Sequence, residues 1–188
     1  MVDEVADRYQ VDAGRFLLFG FSGGGHFAHR FLYLHPERLL AASIGAPGAV
    51  TLLDPDRPWP AGVAGTEEEF GRTVDPSAVA AIPVHLVIGA DDTDLTGITT
   101  DPGGPAWIPG VNDAGVPRTQ RLKALHTSLT NHHVPVTHQR IPATAHDANA
   151  IFPATQNFFA ARLVQAATNT SQSGGVASIS NLWGLDIQ

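Results

Sequence analysis

A compact apolar run, Arg15–Phe19, leads straight into Gly20-Phe21-Ser22-Gly23-Gly24-Gly25, and helical periodicity begins at once after it. A short apolar run closed by glycine suits a buried strand. Phe27, Phe31 and Leu34 then fall at i, i+4 and i+7, and Pro36 stops the helix near His35. A strand that becomes a helix within so few residues strains the backbone of the residue at the corner. The segment Gly20-Phe21-Ser22-Gly23-Gly24 fits G-x-S-x-G and puts Ser22 at that corner. The flanking glycines are expected to let strand and helix approach without a side-chain clash. Gly23, at the helix N-terminus, has a backbone N–H placed to receive a developing oxyanion. Ser22 is therefore a candidate nucleophile and Gly23 a candidate oxyanion donor. The competing readings are a plain glycine-rich turn and a phosphate cradle, and a G-x-x-x-x-G-K cradle needs a Lys that does not follow.

The remaining elements alternate. Met1–Tyr9 has helical spacing of Val2, Val5 and Tyr9, and Leu39–Ile44 and Val84–Ile88 read as further buried strands. Thr51–Ala81 is irregular, with a short helix around Thr66–Phe70, and Asp91–Gly115 is a long Gly/Pro/Asp/Thr loop of the kind that tends to carry function. Pro117–Asn131 is a helix, Val134–Ile141 a fourth strand, and Asp147–Ala167 a last helix bent near Pro153. Residues 1–167 are thus expected to form one α/β domain, and 168–188, polar and rich in Gly and Ser, a loosely held tail. The alternation predicts a mostly parallel sheet with helices on both faces. Right-handed crossovers bring every strand's C-terminal end to one rim, where ligands of open α/β sheets bind.

Composition narrows the chemistry. The 188 residues include 43% apolar and 15% charged positions, enough for one core. A net charge of −7 repels phosphate backbones, and no Lys/Arg cluster is dense enough for a membrane surface, so neither nucleic acid nor membrane is expected as a partner. The chain has no Cys, which removes disulfides, thiolate metal sites and cysteine nucleophiles. No apolar run approaches the roughly 20 residues of a spanning helix. The first residues, Met1-Val2-Asp3-Glu4, carry acid where a signal peptide carries base. That implies a cytoplasmic location, or a secreted one if a further segment precedes Met1.

A serine hydroxyl needs a base, and position selects one of nine His. His146 follows the last strand, in Pro142-Ala143-Thr144-Ala145-His146-Asp147, and reaches the rim expected for Ser22. The order serine, acid, histidine then puts the orienting carboxylate after the third strand, where Asp91, Asp92 and Asp94 stand. Asp92 is favoured, because its distance from Gly89 lets the chain turn over the rim. Asp91 and Asp94 suit loop caps or Asx-turns.

This constellation resembles the α/β-hydrolase superfamily from Gly14 to about Ala167. Phe19-Gly20-Phe21-Ser22-Gly23-Gly24-Gly25 with Leu34-His35-Pro36-Glu37-Arg38 is similar to esterases related to polyhydroxybutyrate depolymerases and feruloyl esterases. Trp107-Ile108-Pro109-Gly110 and Arg118–Leu125 resemble that group less specifically. The resemblance implies hydrolysis of a small or polymeric carboxylic ester through an acyl-serine. It assigns Ser22 as nucleophile, His146 as base and acid, and Asp92 as orienting carboxylate, with no metal and no organic cofactor. The pattern departs at its start, since such enzymes have several strands before the elbow and a His-Gly loop that donates a second oxyanion N–H. The chain thus corresponds to the C-terminal part of the fold. The strand at Arg15–Phe19 is expected to expose an apolar edge open to self-association or a partner. The alternative function is a catalytically impaired remnant acting as a binding module.

Other features carry blander readings. His26, one turn after Ser22, is expected to pack or cap. His132, His133 and His138 lack acidic partners and metal-ligand spacing. Glu67-Glu68-Glu69 suits a solvated first helical turn. Trp59 and Trp107 either line a pocket or anchor their loops.

Overall fold

The structure, a computed structural model, describes residues 2–10, 13–96, 98–104 and 107–172. Its elements run α1 (Val2–Tyr9), β1 (Phe16–Phe21), α2 (Gly23–Leu34), a 3-10 turn (Pro36–Arg38), β2 (Leu39–Gly45), α3 (Thr66–Phe70), α4 (Pro76–Ala80), β3 (Val84–Gly89), α5 (Arg118–Asn131), β4 (Val136–Ile141) and α6 (Ala148–Gln172). The four strands form one sheet in the order β1-β2-β3-β4, every neighbouring pair parallel. Strand pairing aligns Phe21 with Gly45 and Gly89 with Ile141. All C-terminal ends therefore share a rim, as the alternation predicts.

Strand alternation divides the sheet into two faces. Ala42, Ile44, Val84, Leu86 and Ile88 pack with Ala28 and Leu32 of α2 and Leu122, Leu125 and Leu129 of α5. The other face meets α6, where Thr155 bonds Ser43 and the Phe158 ring stacks on His85 with centroids 5.0 Å apart. Helices thus cover both faces. On the α2 and α5 side, leucines one and two turns apart supply the burial, each worth about 1.5–3 kcal/mol.

Some boundaries differ from expectation. The helix α4 was hidden in a stretch read as irregular, although Asp75 caps it through a bond from the Ser77 N–H and Pro76 opens it. Strand β4 begins at Val136, because Pro135 gives only its carbonyl to the ladder, to the Val84 N–H. Helix α6 runs through Pro153 to Gln172, past the expected end at Ala167. The rest of the predicted tail, from 173 on, lies outside the described residues. β1 forms one border of the sheet and is paired on one side, with β2. No described helix is long and apolar enough to cross a membrane.

Candidate active site

The chain leaves β1 at Phe21 and enters α2 at Gly23, so Ser22 alone makes the corner. Its backbone sits at φ 53°, ψ −114°, a region L-residues rarely occupy. Two hydrogen bonds and the space left by a glycine hold it there. The Ser22 N–H donates to the Gly45 carbonyl at 2.9 Å, its own carbonyl accepts from the His26 N–H at 3.1 Å, and Gly20 allows α2 to approach. A Cβ on Gly20 would lie 1.9 Å from the Gly24 carbonyl oxygen. One on Gly25 would come within 2.8 Å of the Gly45 carbonyl oxygen. A Cβ on Gly23 or Gly24 would meet open space. The glycines that the close approach requires are thus Gly20 and Gly25, not Gly24.

Ser22 occupies the N-cap position of α2, yet its side chain makes no capping bond. Its hydroxyl is left to other partners. Gly23 is the first residue of α2, so its N–H is one of the donors a helix leaves unpaired, at the positive end of the dipole.

The acid and the base meet across the rim. His146 Nδ1 lies 2.7 Å from Asp92 Oδ2, and the Asp92 side chain is fully buried. Two backbone contacts bring the loops together, the Ala90 N–H to the Ile141 carbonyl and the Asp91 N–H to the Thr144 carbonyl, both 2.8 Å. Gly89 makes this fit, since a Cβ there would lie 2.2 Å from the carbonyl oxygens of Thr144 and Ala145. The His146 ring packs on Phe21, the residue before the serine, with centroids 4.5 Å apart. Ser22, Asp92 and His146 thus share one corner of the rim. The structure joins the last two by a hydrogen bond and leaves the Ser22 hydroxyl unbonded to either among the described residues. Of the other two carboxylates, Asp94 accepts from the Thr96 N–H at 2.9 Å, an Asx-turn, and Asp91 is exposed.

Two residues that sequence reasoning missed support this corner. Arg118 and Arg121 open α5 and are both buried. Arg118 Nη1 donates to Asp92 Oδ1 at 3.2 Å and to the Asp94 carbonyl at 2.7 Å. Among the described residues Arg121 has no carboxylate partner and donates instead to carbonyls of Gly48, Ile98 and Gly115 and to the Asn112 side chain. Burial and the Arg118 charge lower its pKa. The available signal was that both arginines sit on the same helical stripe as Leu122, Leu125 and Leu129.

The histidines of α2 are structural. His26 Nε2 accepts from the Ala49 N–H at 2.7 Å, and His29 Nε2 from the Thr51 N–H at 2.9 Å. His29 Nδ1 lies 2.7 Å from the Gly25 carbonyl, so its ring donates there and stays neutral. Burial, reinforced by neighbouring arginines, pushes His26 down to about 4. Burial pushes His29 down to about 3. Both rings thus staple the loop after β2 to the helix after the elbow.

A second serine–histidine contact lies within the sheet. Ser43 Oγ is 2.9 Å from His85 Nδ1 and 3.0 Å from Thr155 Oγ1, and His85 Nε2 is 2.7 Å from Gln139 Oε1. Ser43 and His85 are fully buried. Ser43 Oγ, Thr155 Oγ1 and both ring nitrogens of His85 each have a protein partner, so these three side chains form a satisfied network under α6. A groove of about 620 Å³ between the loop after β2 and α5, lined by Leu52, Pro55, Ala124 and Thr127 among others, includes none of Ser22, Asp92 or His146.

Trp59 anchors its loop, meeting Phe70 edge-on at 5.0 Å with the Arg30 guanidinium 5.2 Å from its ring. Trp107 stays partly exposed. His132 caps α5 through the Ser128 carbonyl, and His138 lies beside His126. Among the described residues no group of three or more His, Asp or Glu could hold a metal.

No protein-family model and no curated protein matches the sequence. Solved structures do match the fold. Poly(aspartic acid) hydrolase-1 from Sphingomonas sp. KT-1 superposes with a TM-score of 0.66 at 22% identity, over 82% of this chain and 58% of that one. LpqC, a poly(3-hydroxybutyrate) depolymerase from Bordetella parapertussis, gives 0.62 at 20% identity, over 78% of this chain and 49% of that one. The chain thus spans about half to three-fifths of the length of these structures. The chain thus shares the fold of these two structures, and its corner brings together an elbow serine, a helix N-terminus and a buried acid–histidine pair.

Proposed function

We propose that the chain is a serine hydrolase acting on carboxylic esters through an acyl-serine, with Ser22 as nucleophile, His146 as base and acid, and Asp92 as orienting carboxylate. The observation that carries this reading is the buried Asp92–His146 hydrogen bond at the corner where Ser22 is strained. Asp92 holds the proton on Nδ1, which leaves Nε2 free to accept one.

Ser22 Oγ attacks the ester carbonyl carbon while its proton passes to His146 Nε2. The negative charge that forms on the carbonyl oxygen accepts from the Gly23 N–H at the positive end of α2. His146 returns the proton to the departing alkoxide, and an alcohol leaves. Water then gives its proton to Nε2 and its oxygen to the acyl carbon, the Ser22 ester breaks as His146 returns that proton to Ser22 Oγ, and a carboxylic acid is released.

The finer reading places the substrate among esters of the polyhydroxybutyrate or feruloyl kind, small or polymeric. The motif around Ser22 and the depolymerase among the structural relatives support it. The border position of β1 favours a second reading, a hydrolase-fold module that binds a partner along that edge. Hydrolysis of p-nitrophenyl acetate separates the two. The esterase reading expects turnover that Ser22→Ala and His146→Ala each reduce by several orders of magnitude. Turnover equal in wild type and Ser22→Ala overturns it.

A further inference from the structure

Asp92 uses its two oxygens in different directions. Oδ2 meets His146 Nδ1 at 2.7 Å, and Oδ1 accepts from Arg118 Nη1 at 3.2 Å. A carboxylate with no solvent exposure is costly as an ion unless a cation pairs with it. With only the imidazole beside it, such a group is free to take a proton or to turn its oxygens. The guanidinium opposes both. It is fixed in turn, because the same Nη1 donates to the Asp94 carbonyl at 2.7 Å and the side chain is 8% exposed at the start of α5. Arg121, one turn on, is occupied by three carbonyls from two loops and cannot replace it.

We propose that Arg118 is a positioning residue, clamping Oδ1 of Asp92 so that Oδ2 stays on His146 Nδ1 and Nε2 stays available to Ser22. The proposal rests on the serine-hydrolase reading for its function and on geometry for its mechanism. Arg118 acts through Asp92. The other charged or titratable groups near the pair are Asp91 and Asp94 on the loop of Asp92, Asp147 beside His146, Arg121 on α5, His26 on α2, and Arg140 on β4, which donates to the Ala90 carbonyl.

Removing the guanidinium has one sign of effect by either route. If Asp92 stays ionised, its full charge favours the imidazolium, and if it takes a proton, it stops orienting the ring. Both delay the appearance of a working base to higher pH.

The test compares the full chain with Arg118→Gln and Arg118→Lys. The readouts are the His146 titration and its low-field Nδ1–H signal by NMR, and the pH dependence of inactivation by a fluorophosphonate. Arg118→Gln is expected to weaken or abolish the low-field signal and to move the acid limb of inactivation up by about 1 unit or more. Arg118→Lys, which keeps a cation, is expected to restore part of both. A folded Arg118→Gln with unchanged signal, titration and limb overturns the proposal. Should that variant not fold, the wild-type guanidinium protons of Arg118 decide. They are expected to exchange slowly and to shift with the His146 midpoint, and no shared midpoint overturns the clamp. A wild type that fluorophosphonate does not modify, while Arg118→Gln still changes the His146 signal, removes the esterase reading and leaves the clamp standing.

Discussion

Asp92 and His146, 54 residues apart in the chain, face each other at 2.7 Å with the carboxylate wholly buried. The loops that carry them touch because Gly89 has no side chain to hold them apart.

Asp92→Asn keeps the size of the side chain but can hold the wrong imidazole tautomer. It is expected to lower kcat for a p-nitrophenyl ester by about 10⁴-fold with the fold intact. Circular dichroism and steady-state kinetics on the same sample check this. A loss under tenfold would place the orienting acid elsewhere.

The glycines of the elbow are not equivalent. Gly20→Ala and Gly89→Ala drive a Cβ into backbone carbonyls and are expected to destabilise by about 1–3 kcal/mol or more, with loss of activity. Gly24→Ala points into open space within α2 and is expected to stabilise by about 0.5–1 kcal/mol. Urea unfolding midpoints of the three variants give the ranking directly.

His29 is fully buried, and burial lowers it from 6.5 to about 3. Its folded pKa lies below the unfolded one, so the folded state excludes a proton that the unfolded state binds. Stability is therefore complete above about pH 6.5 and falls from there towards pH 3, by up to about 1.4 kcal/mol per pH unit from this group. His26, lowered to about 4, adds in the same direction. Urea midpoints between pH 7 and 4 should drop steeply, and His29→Gln should flatten the slope. A slope unchanged in that variant would mean the ring is not the proton site.

The Ser43–His85 contact is expected to matter for stability alone. Ser43→Ala leaves His85 Nδ1 and Thr155 Oγ1 short of a partner in the interior, at a cost of about 1–3 kcal/mol. Ester hydrolysis per folded molecule should stay within about twofold of wild type by the same argument. A complete loss of turnover in folded Ser43→Ala would move the chemistry into the sheet.

What the sequence disclosed follows from which interactions are periodic or local. The strand–elbow–helix unit was readable because an apolar run, Gly20, Ser22 and the Phe27/Phe31/Leu34 spacing all pointed the same way. The parallel sheet was readable for the same reason. The short helix α4 was missed although Asp75-Pro76 is a start signal, since five residues carry too little periodicity to stand out among prolines. The arginine pair was missed because Arg is normally solvated, and only the fold shows that Arg118 and Arg121 occupy a buried stripe. His26 and His29 act on backbone N–H groups of the loop after β2, and a backbone acceptor relation across 22 or 23 residues leaves no mark in residue types.

Ser22, whose backbone is strained at the corner, is proposed to carry the reactive hydroxyl. Peptide mapping by mass spectrometry after treatment with a fluorophosphonate measures this most directly. One adduct on the peptide that begins at Phe16 and ends at Arg30, absent from Ser22→Ala and much reduced in His146→Ala, is the predicted result. An unmodified protein, or an adduct on the peptide that contains Ser43, would contradict it.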